Sequence, residues 1–161
     1  MCYNTSRKRK EITQMTIYFD MDGTLANLYG VENWLPRLRA HDPSPYIEAA
    51  PLLRLNALAR RLNTLRRKGY KIGVISWLSK DPDPAYGAKV MAAKYGWLEK
   101  HLPSVYFDEI RIVPYGVPKS KAISNPTGIL FDDEEQNRTE WENAGGTAYN
   151  VENIMEILLG L

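Results

Sequence analysis

Two aspartates separated by one residue, Asp20 and Asp22, follow the short apolar run Thr16–Phe19. That run predicts a buried strand, and Gly23 directly behind the aspartates permits a sharp turn. In open sheets of parallel strands covered by helices, ligands bind at the carboxyl ends of the strands. We therefore expect Asp20 to contact a ligand, and Asp22 to lie beside the same ligand on the turn that follows.

A second acidic pair, Asp132 and Asp133, ends another apolar run at residues 128–131. If the two strands are neighbours, four carboxylates converge, and each like-charge pair at ~4 Å costs on the order of 4 kcal/mol at an effective dielectric of ~20. A bound divalent cation reverses this repulsion. Because the candidate ligands are all oxygens, with no His or Cys among them, Mg²⁺ is favoured over zinc or copper.

Side chains that could contact a phosphate group follow two further predicted strands. Ser76 ends the run 71–76, where its hydroxyl and the following backbone amides can hydrogen-bond a phosphate oxygen. Beyond the run Glu109–Val113, Lys119 and Lys121 compete for one role, a cation that offsets negative charge at the same rim. The spacing from the strand favours Lys119. The structural alternative for Ser76 is a turn residue, and the lysine that does not take the role is then a surface lysine.

The order of elements along the chain predicts an α/β fold, a parallel sheet flanked by helices. The stretches 72–75 and 129–131 are continuously apolar, so their strands belong near the centre of the sheet, and Pro114 places the run before it at an edge. Strands are predicted at residues 16–19, 71–76, 109–113, 128–131 and 147–151. Helices are predicted at residues 52–68, 85–101, 136–144 and 152–159.

The chain has 161 residues, which fits one domain with a substantial core. We expect residues 15–161 to form that domain, with a small insertion at about 26–51, and residues 1–14 to be a mobile extension. The basic run at residues 7–10 is interpreted as a solvated tail, with a binding patch as the alternative. A formal net charge of +2, from 21 basic and 19 acidic residues, gives no strong sign of nucleic-acid binding.

Composition also predicts where the protein works. Cys2 is the only cysteine, so an intrachain disulfide is excluded, as suits a reducing cytosol. No apolar run approaches the ~20 residues needed to cross a bilayer, and the first residues lack the apolar core of a signal peptide. We therefore expect a cytoplasmic protein without membrane partners, and an oligomer is possible.

The order of these residues along the chain resembles the four motifs of the haloacid dehalogenase (HAD) phosphatases. The residues are the acidic pair Asp20 and Asp22, Ser76, Lys119, and the acidic pair Asp132 and Asp133. This resemblance spans residues 15–161 and implies a Rossmann-like three-layer sandwich. Its five-stranded parallel sheet would have the order five, four, one, two, three, which brings all four motifs together. The stretch from Ser76 through residues 95–100 to Asp133 resembles the 5'(3')-deoxyribonucleotidase branch and its small phage and bacterial relatives, and the tail 137–146 is similar to those relatives as well.

The resemblance implies a Mg²⁺-dependent phosphatase in which Asp20 attacks phosphorus and Asp22 protonates the leaving oxygen. Water then hydrolyses the aspartyl-phosphate with Asp22 as base, while Lys119 holds the phosphoryl oxygens. The implied metal ligands are the Asp20 carboxylate, the Asp22 backbone carbonyl, and one or both of Asp132 and Asp133. The choice between those last two is open.

Further substrate contacts are expected from Gly23 and Thr24 in the first motif and from Trp77, which could instead pack under its neighbouring loop. The implied substrate is a small phosphorylated molecule, a nucleoside (deoxy)monophosphate as for a 5'-nucleotidase. The insertion at 26–51 is far shorter than the cap of those nucleotidases, which implies a more open site. One alternative is a phosphatase for a macromolecular end, either a nucleic-acid 3'-phosphate or a phosphoprotein. The other is a phosphate-binding module without turnover, against which Asp22 argues.

Overall fold

The computed structural model describes residues 15–161. The expected extension at residues 1–14 and its basic run lie outside the described residues. The strands are β1 (Thr16–Phe19), β2 (Ala26–Asn27), β3 (Ala50–Pro51), β4 (Lys71–Trp77), β5 (Glu109–Val113), β6 (Ile129–Phe131) and β7 (Thr147–Tyr149). The α-helices are α1 (Trp34–Arg39), α2 (Ser44–Glu48), α3 (Leu55–Arg67), α4 (Pro84–His101), α5 (Glu135–Asn143) and α6 (Ile154–Leu159). No helix in this part of the chain is long and apolar enough to span a bilayer.

Five of the strands form one parallel sheet in the order β5-β4-β1-β6-β7. With β2 and β3 left out of the count, the strands read five, four, one, two, three from the β7 edge. All four residues of β1 are buried, as expected for the central strand of a sheet covered on both faces. The predicted α/β class is confirmed.

The strand register places the ends of β1 and β6 side by side, and the neighbouring strand β4 continues beyond them to Trp77. Phe19, the last residue of β1, is paired with Val74 on one side and with Phe131 on the other. The rings of Phe19 and Phe131 stack at 5.3 Å between centroids within the main apolar core. Close packing of this kind leaves little freedom for the residues that follow each strand. Asp20 and Asp132 therefore emerge next to each other.

Several element boundaries differ from the sequence prediction by up to three residues. Helix α3 begins at Leu55 instead of residue 52, because β3 pairs with β2 and the Leu52 amide then donates to the Leu25 carbonyl at 2.9 Å. Strand β7 ends at Tyr149, and a 3-10 helix, Val151–Asn153, precedes α6. These differences leave the predicted layers unchanged.

Residues 26–51 form a small insertion closed at its base by the antiparallel pair β2 and β3. Its buried side chains Leu28, Leu38 and Tyr46 pack against Tyr86 and Val90 of α4. The insertion thus lies on α4 and forms a second apolar cluster with it. We call this segment the cap below.

Candidate active site

The carboxyl end of the sheet brings three acidic side chains together. Asp20 follows β1 and its amide donates to the Phe131 carbonyl of β6 at 2.9 Å. Each of Asp20, Asp132 and Asp133 contributes one carboxylate oxygen to a cluster, and these three oxygens lie within 4.8 Å of one another. Thr24 donates its hydroxyl to Asp20 Oδ2 at 3.2 Å. Residues from both predicted acidic motifs therefore meet in one cluster.

Lys119 lies inside this cluster, with only 1% of its surface exposed. Its Nζ donates to Asp20 Oδ1 at 2.7 Å and to Asp132 Oδ2 at 2.6 Å. Burial opposes the charge, but the two carboxylates outweigh it and raise the pKa of Lys119 above its ordinary value. Lys121 is exposed. Of the two competing lysines, Lys119 is the one that contacts the carboxylates.

Asp132 is fully buried, and both of its carboxylate oxygens accept hydrogen bonds from the protein. Oδ2 accepts from Asn137 at 3.1 Å as well as from Lys119, and Oδ1 accepts from the Glu134 amide at 2.9 Å. Arg138 of α5 donates to the backbone carbonyls of Asp132 and Asp133, both at 2.9 Å. Burial and the charge of Asp20 raise the pKa of Asp132 to about 6. This aspartate is held rigidly, and its hydrogen-bonding capacity is largely used.

Asp133 differs, because its Oδ1 is buried and has no hydrogen-bond partner in the described part of the chain. Burial and the charges of Asp20 and Asp132 raise the pKa of Asp133 to about 7. Gly23 makes room for this carboxylate: its φ is +81°, and a Cβ there would lie 2.2 Å from Asp133 Oδ2. An unpartnered oxygen beside two other carboxylates fits a divalent cation.

Asp22 lies on the loop after β1, with 20% of its side chain exposed. Its Oδ2 accepts a hydrogen bond from Lys94 at 2.6 Å. Burial raises the pKa of Asp22, although Lys94 opposes the rise. A carboxyl group that holds its proton more strongly than usual is suited to general acid catalysis.

Lys94 was not among the residues singled out from the sequence. It is 1% exposed on α4, and it also donates to Ser76 Oγ at 2.7 Å and to the Trp77 carbonyl at 2.6 Å. Its position four residues after Val90 and three before Trp97 puts it on the buried face of the helix. A lysine at an apolar position of a helix was the signal that could have identified it.

Aromatic side chains border the cluster on the β4 side. Trp77 is partly buried, and its Nε1 donates to the Val117 carbonyl at 2.8 Å. The Trp77 ring lies 4.8 Å from that of Tyr115 and 5.4 Å from Lys119 Nζ. Trp77 therefore packs on a neighbouring loop and also adjoins the cluster, and contact of its ring with a substrate stays a prediction.

Tyr29 borders the cluster on the cap side and is 48% exposed. Burial of its hydroxyl and the nearby charges of Asp133 and Asp22 raise the pKa of Tyr29. Trp34 supports it edge-on, with 5.1 Å between ring centroids. Tyr29 thus presents part of its ring to solvent beside the acidic cluster.

No model of a known protein family matches the chain, and a search of curated proteins found no match. Solved structures do match. A D,D-heptose 1,7-bisphosphate phosphatase from Burkholderia thailandensis has a TM-score of 0.56 at 11% identity, over 91% of this chain and 97% of that one. A HAD family enzyme from Bacteroides thetaiotaomicron, crystallised as an Asp-to-Ala mutant with magnesium and inorganic phosphate, has a TM-score of 0.54 at 15% identity, over 84% and 93%.

A second D,D-heptose 1,7-bisphosphate phosphatase, from B. bronchiseptica and in complex with magnesium and phosphate, has a TM-score of 0.51 at 15% identity. It matches over 83% of this chain and 78% of that one. At these identities the likeness concerns the fold and not the activity. The chain shares the fold of these HAD-type phosphatases.

Proposed function

We propose that this protein is a Mg²⁺-dependent phosphomonoester hydrolase that works through a phosphorylated Asp20. The observation that carries the proposal is the meeting of Asp20, Asp132 and Asp133 around the buried Lys119, with Asp22 beside them. Such crowding of carboxylates is unfavourable unless cations compensate it. A structural ion pair would not require the further carboxylate of Asp133, whose Oδ1 has no partner.

The proposed metal ligands are the Asp20 carboxylate, the Asp22 backbone carbonyl and Asp133. Asp133 is preferred over Asp132 because Asp132 already accepts from Lys119 and Asn137. An all-oxygen ligand set suits Mg²⁺. When bound, Mg²⁺ would neutralise charge on the phosphoryl oxygens. The magnesium and phosphate bound by two of the structural neighbours agree with this choice.

In the first proposed step, an Asp20 carboxylate oxygen bonds to phosphorus as the bond from phosphorus to the leaving-group oxygen breaks. The electron pair of that bond stays on the leaving oxygen, which takes a proton from Asp22. In the second step, a water oxygen bonds to phosphorus and its proton passes to Asp22. The bond from phosphorus to Asp20 then breaks, which releases phosphate. Lys119 and Ser76 hold the phosphoryl oxygens in both steps.

Nucleoside monophosphates are the proposed substrates. Trp77 on one side and Tyr29 on the other place aromatic rings beside the acidic cluster. Stacking on such a ring contributes on the order of 1 to 3 kcal/mol per base and does not distinguish one base from another. Broad selectivity among bases follows, with sugar phosphates as poorer substrates.

The test is kcat/KM with Mg²⁺ for four ester classes: deoxynucleoside monophosphates, a sugar phosphate, a 3'-phosphorylated oligonucleotide and a phosphopeptide. We expect the mononucleotides to be best and a chelator to abolish all turnover. Activity that persists in chelator would remove the metal-dependent mechanism. If kcat/KM for the oligonucleotide or the phosphopeptide exceeds that for every mononucleotide by more than about tenfold, the substrate is a macromolecular end instead.

A matched pair of variants separates stacking from general damage. Tyr29→Leu should lower kcat/KM for mononucleotides by about tenfold, the equivalent of one weak stacking contact, and leave the sugar phosphate nearly unchanged. Tyr106→Leu is the control, because Tyr106 is 64% exposed in the loop that enters β5 at the opposite end of the sheet. Equal losses on both substrates in Tyr29→Leu would contradict a stacking role.

A further inference from the structure

Lys94 is a buried lysine whose charge is used entirely inside the protein. An ammonium group has three protons, and Lys94 Nζ has three acceptors, Asp22 Oδ2, Ser76 Oγ and the Trp77 carbonyl, all within 2.7 Å. A lysine is almost never fully buried unless it is paired. Because its three protons are committed, Lys94 is not arranged to bind a phosphate group directly.

The contact with Asp22 fixes which oxygen of that carboxyl group can act. Asp22 Oδ2 accepts a hydrogen bond from Lys94 Nζ at 2.6 Å, so an acidic proton on Oδ2 could not point toward the lysine. Oδ1 is left as the oxygen that can protonate a leaving group. Without Lys94, the carboxyl group could rotate and present either oxygen in many directions.

The contact with Ser76 fixes the direction of a hydroxyl proton. Ser76 is fully buried at the end of β4, and its Oγ accepts from Lys94 at 2.7 Å. A hydroxyl has a single proton. With its oxygen accepting from Lys94, the proton of Ser76 is directed away from the lysine, and it can donate to a phosphoryl oxygen.

The cap shields this arrangement from water. Tyr46, which is 5% exposed, places its ring 4.9 Å from Lys94 Nζ. A ring face near an ammonium stabilises the cation, and exclusion of water strengthens the ion pair to Asp22. The cap residue thus helps to hold the Lys94 side chain in place.

We propose that Lys94 is a positioning residue that orients both the acid/base Asp22 and the phosphate-contacting Ser76 through one buried ammonium group. The inference rests on the proposed phosphatase function and adds to it a residue that never touches the substrate. Lys119 pairs with the proposed nucleophile Asp20, and Lys94 orients the proposed acid Asp22. The two buried lysines therefore have separate roles.

The test compares two esters that differ in their need for an acid. An alkyl phosphate needs a proton on its leaving oxygen, whereas 2,4-dinitrophenyl phosphate releases a stable anion. The readout is kcat/KM, which covers the steps up to departure of the leaving group. Loss of general acid help costs about 10²-fold or more on the alkyl ester. Lys94→Met should therefore lower the alkyl-to-aryl ratio of kcat/KM by about tenfold or more, and Asp22→Asn should do the same.

Two further variants separate positioning from other effects. Ser76→Ala should lower kcat/KM for both esters alike, because both carry the same phosphoryl group. Lys89→Met is the matched control, since Lys89 is exposed on the same helix, and both rates should stay unchanged.

The double variant Asp22→Asn/Lys94→Met tests whether Lys94 acts through Asp22. It leaves no unpaired carboxylate at position 22, so it should fold even where Lys94→Met does not. Its ester ratio should match that of Asp22→Asn within about twofold, because residues in one pathway are not additive. A further tenfold fall, or equal losses on both esters in Lys94→Met, would overturn the inference. A wild-type protein inactive on both esters would instead overturn the phosphatase proposal and this inference with it.

Discussion

The ammonium of Lys119 lies 2.7 Å from Asp20 Oδ1, although the two residues are 99 positions apart in the sequence. They meet because the segment after β5 and the loop after β1 reach the same edge of the sheet. Lys119 is 1% exposed and Asp20 is 7% exposed. The ion pair therefore holds the candidate nucleophile in a site largely protected from water.

Replacement of this lysine should affect both stability and turnover. Lys119→Ala leaves the carboxylates of Asp20 and Asp132 buried without their cation, which should destabilise the metal-free protein by about 3 kcal/mol. We expect kcat/KM to fall by about 10²-fold or more. Lys121→Ala, at an exposed position, should change the free energy of unfolding by no more than about 0.5 kcal/mol and kcat/KM by no more than about twofold. Chemical denaturation and initial rates measure both, and the reverse ranking would assign the role to Lys121.

Asp20→Asn should abolish hydrolysis in a protein that still folds. An amide cannot form the acyl phosphate, and the substitution removes one negative charge from a crowded cluster. The matched control is Asp83→Asn at the N-cap of α4, where Asp83 accepts from the amides of Ala85 and Tyr86 and asparagine caps a helix equally well. Circular dichroism verifies folding and phosphate release verifies activity. A folded Asp20→Asn protein with near wild-type turnover would rule out the proposed nucleophile.

Gly23→Ala should damage the metal site more than the fold. Both Gly23 and Gly145 have positive φ angles, +81° and +102°, so alanine is strained at either position. A Cβ at Gly23 would lie 2.2 Å from Asp133 Oδ2, whereas at Gly145 the nearest atom is a Thr127 methyl at 3.9 Å. Calorimetric titration with Mg²⁺ should show at least about tenfold weaker binding for Gly23→Ala only. Equally weakened Mg²⁺ binding in Gly145→Ala would show that backbone strain, and not contact with Asp133, causes the loss.

Magnesium should stabilise the protein more at pH 8 than at pH 5. The pKa values of Asp132 and Asp133 are raised to about 6 and about 7, because burial and the charge of Asp20 favour their protonated forms. In the metal-free protein, protonation of these two groups therefore stabilises the fold fully below about pH 4, near the pKa of an aspartate in the unfolded chain. That stabilisation is lost as the pH rises through their folded-state pKa values of about 6 and about 7. Mg²⁺ binds the ionised forms, so its effect grows over the same window.

Thermal unfolding with and without Mg²⁺ at pH 5, 6, 7 and 8 measures this dependence. The difference in Tm between the two conditions should increase across the series. A difference that is equal at pH 5 and pH 8 would show that Asp133 is not a metal ligand.

Much of the site could be predicted from the sequence, because parallel strands that are buried on both faces have a simple pattern. The runs that became β1 and β6 each end in an acidic pair, and a parallel sheet with these strands as neighbours must bring both pairs to one edge. The types of those residues then indicate the chemistry, since carboxylates without His or Cys suit Mg²⁺. None of this requires knowledge of side-chain packing.

The sequence favours Lys119 over Lys121, but only the tertiary structure shows that Lys119 contacts the carboxylates and that Lys94 lies beside them. Lys119 and Lys121 are two positions apart, and the 3-10 helix that contains them buries one and exposes the other. Lys94 lies on a helix that packs against the cap, and its partners Asp22 and Ser76 are 72 and 18 positions away. Local periodicity shows that a residue faces the core, but it does not show which buried acceptors lie there. That depends on how the cap, α4 and the sheet pack together.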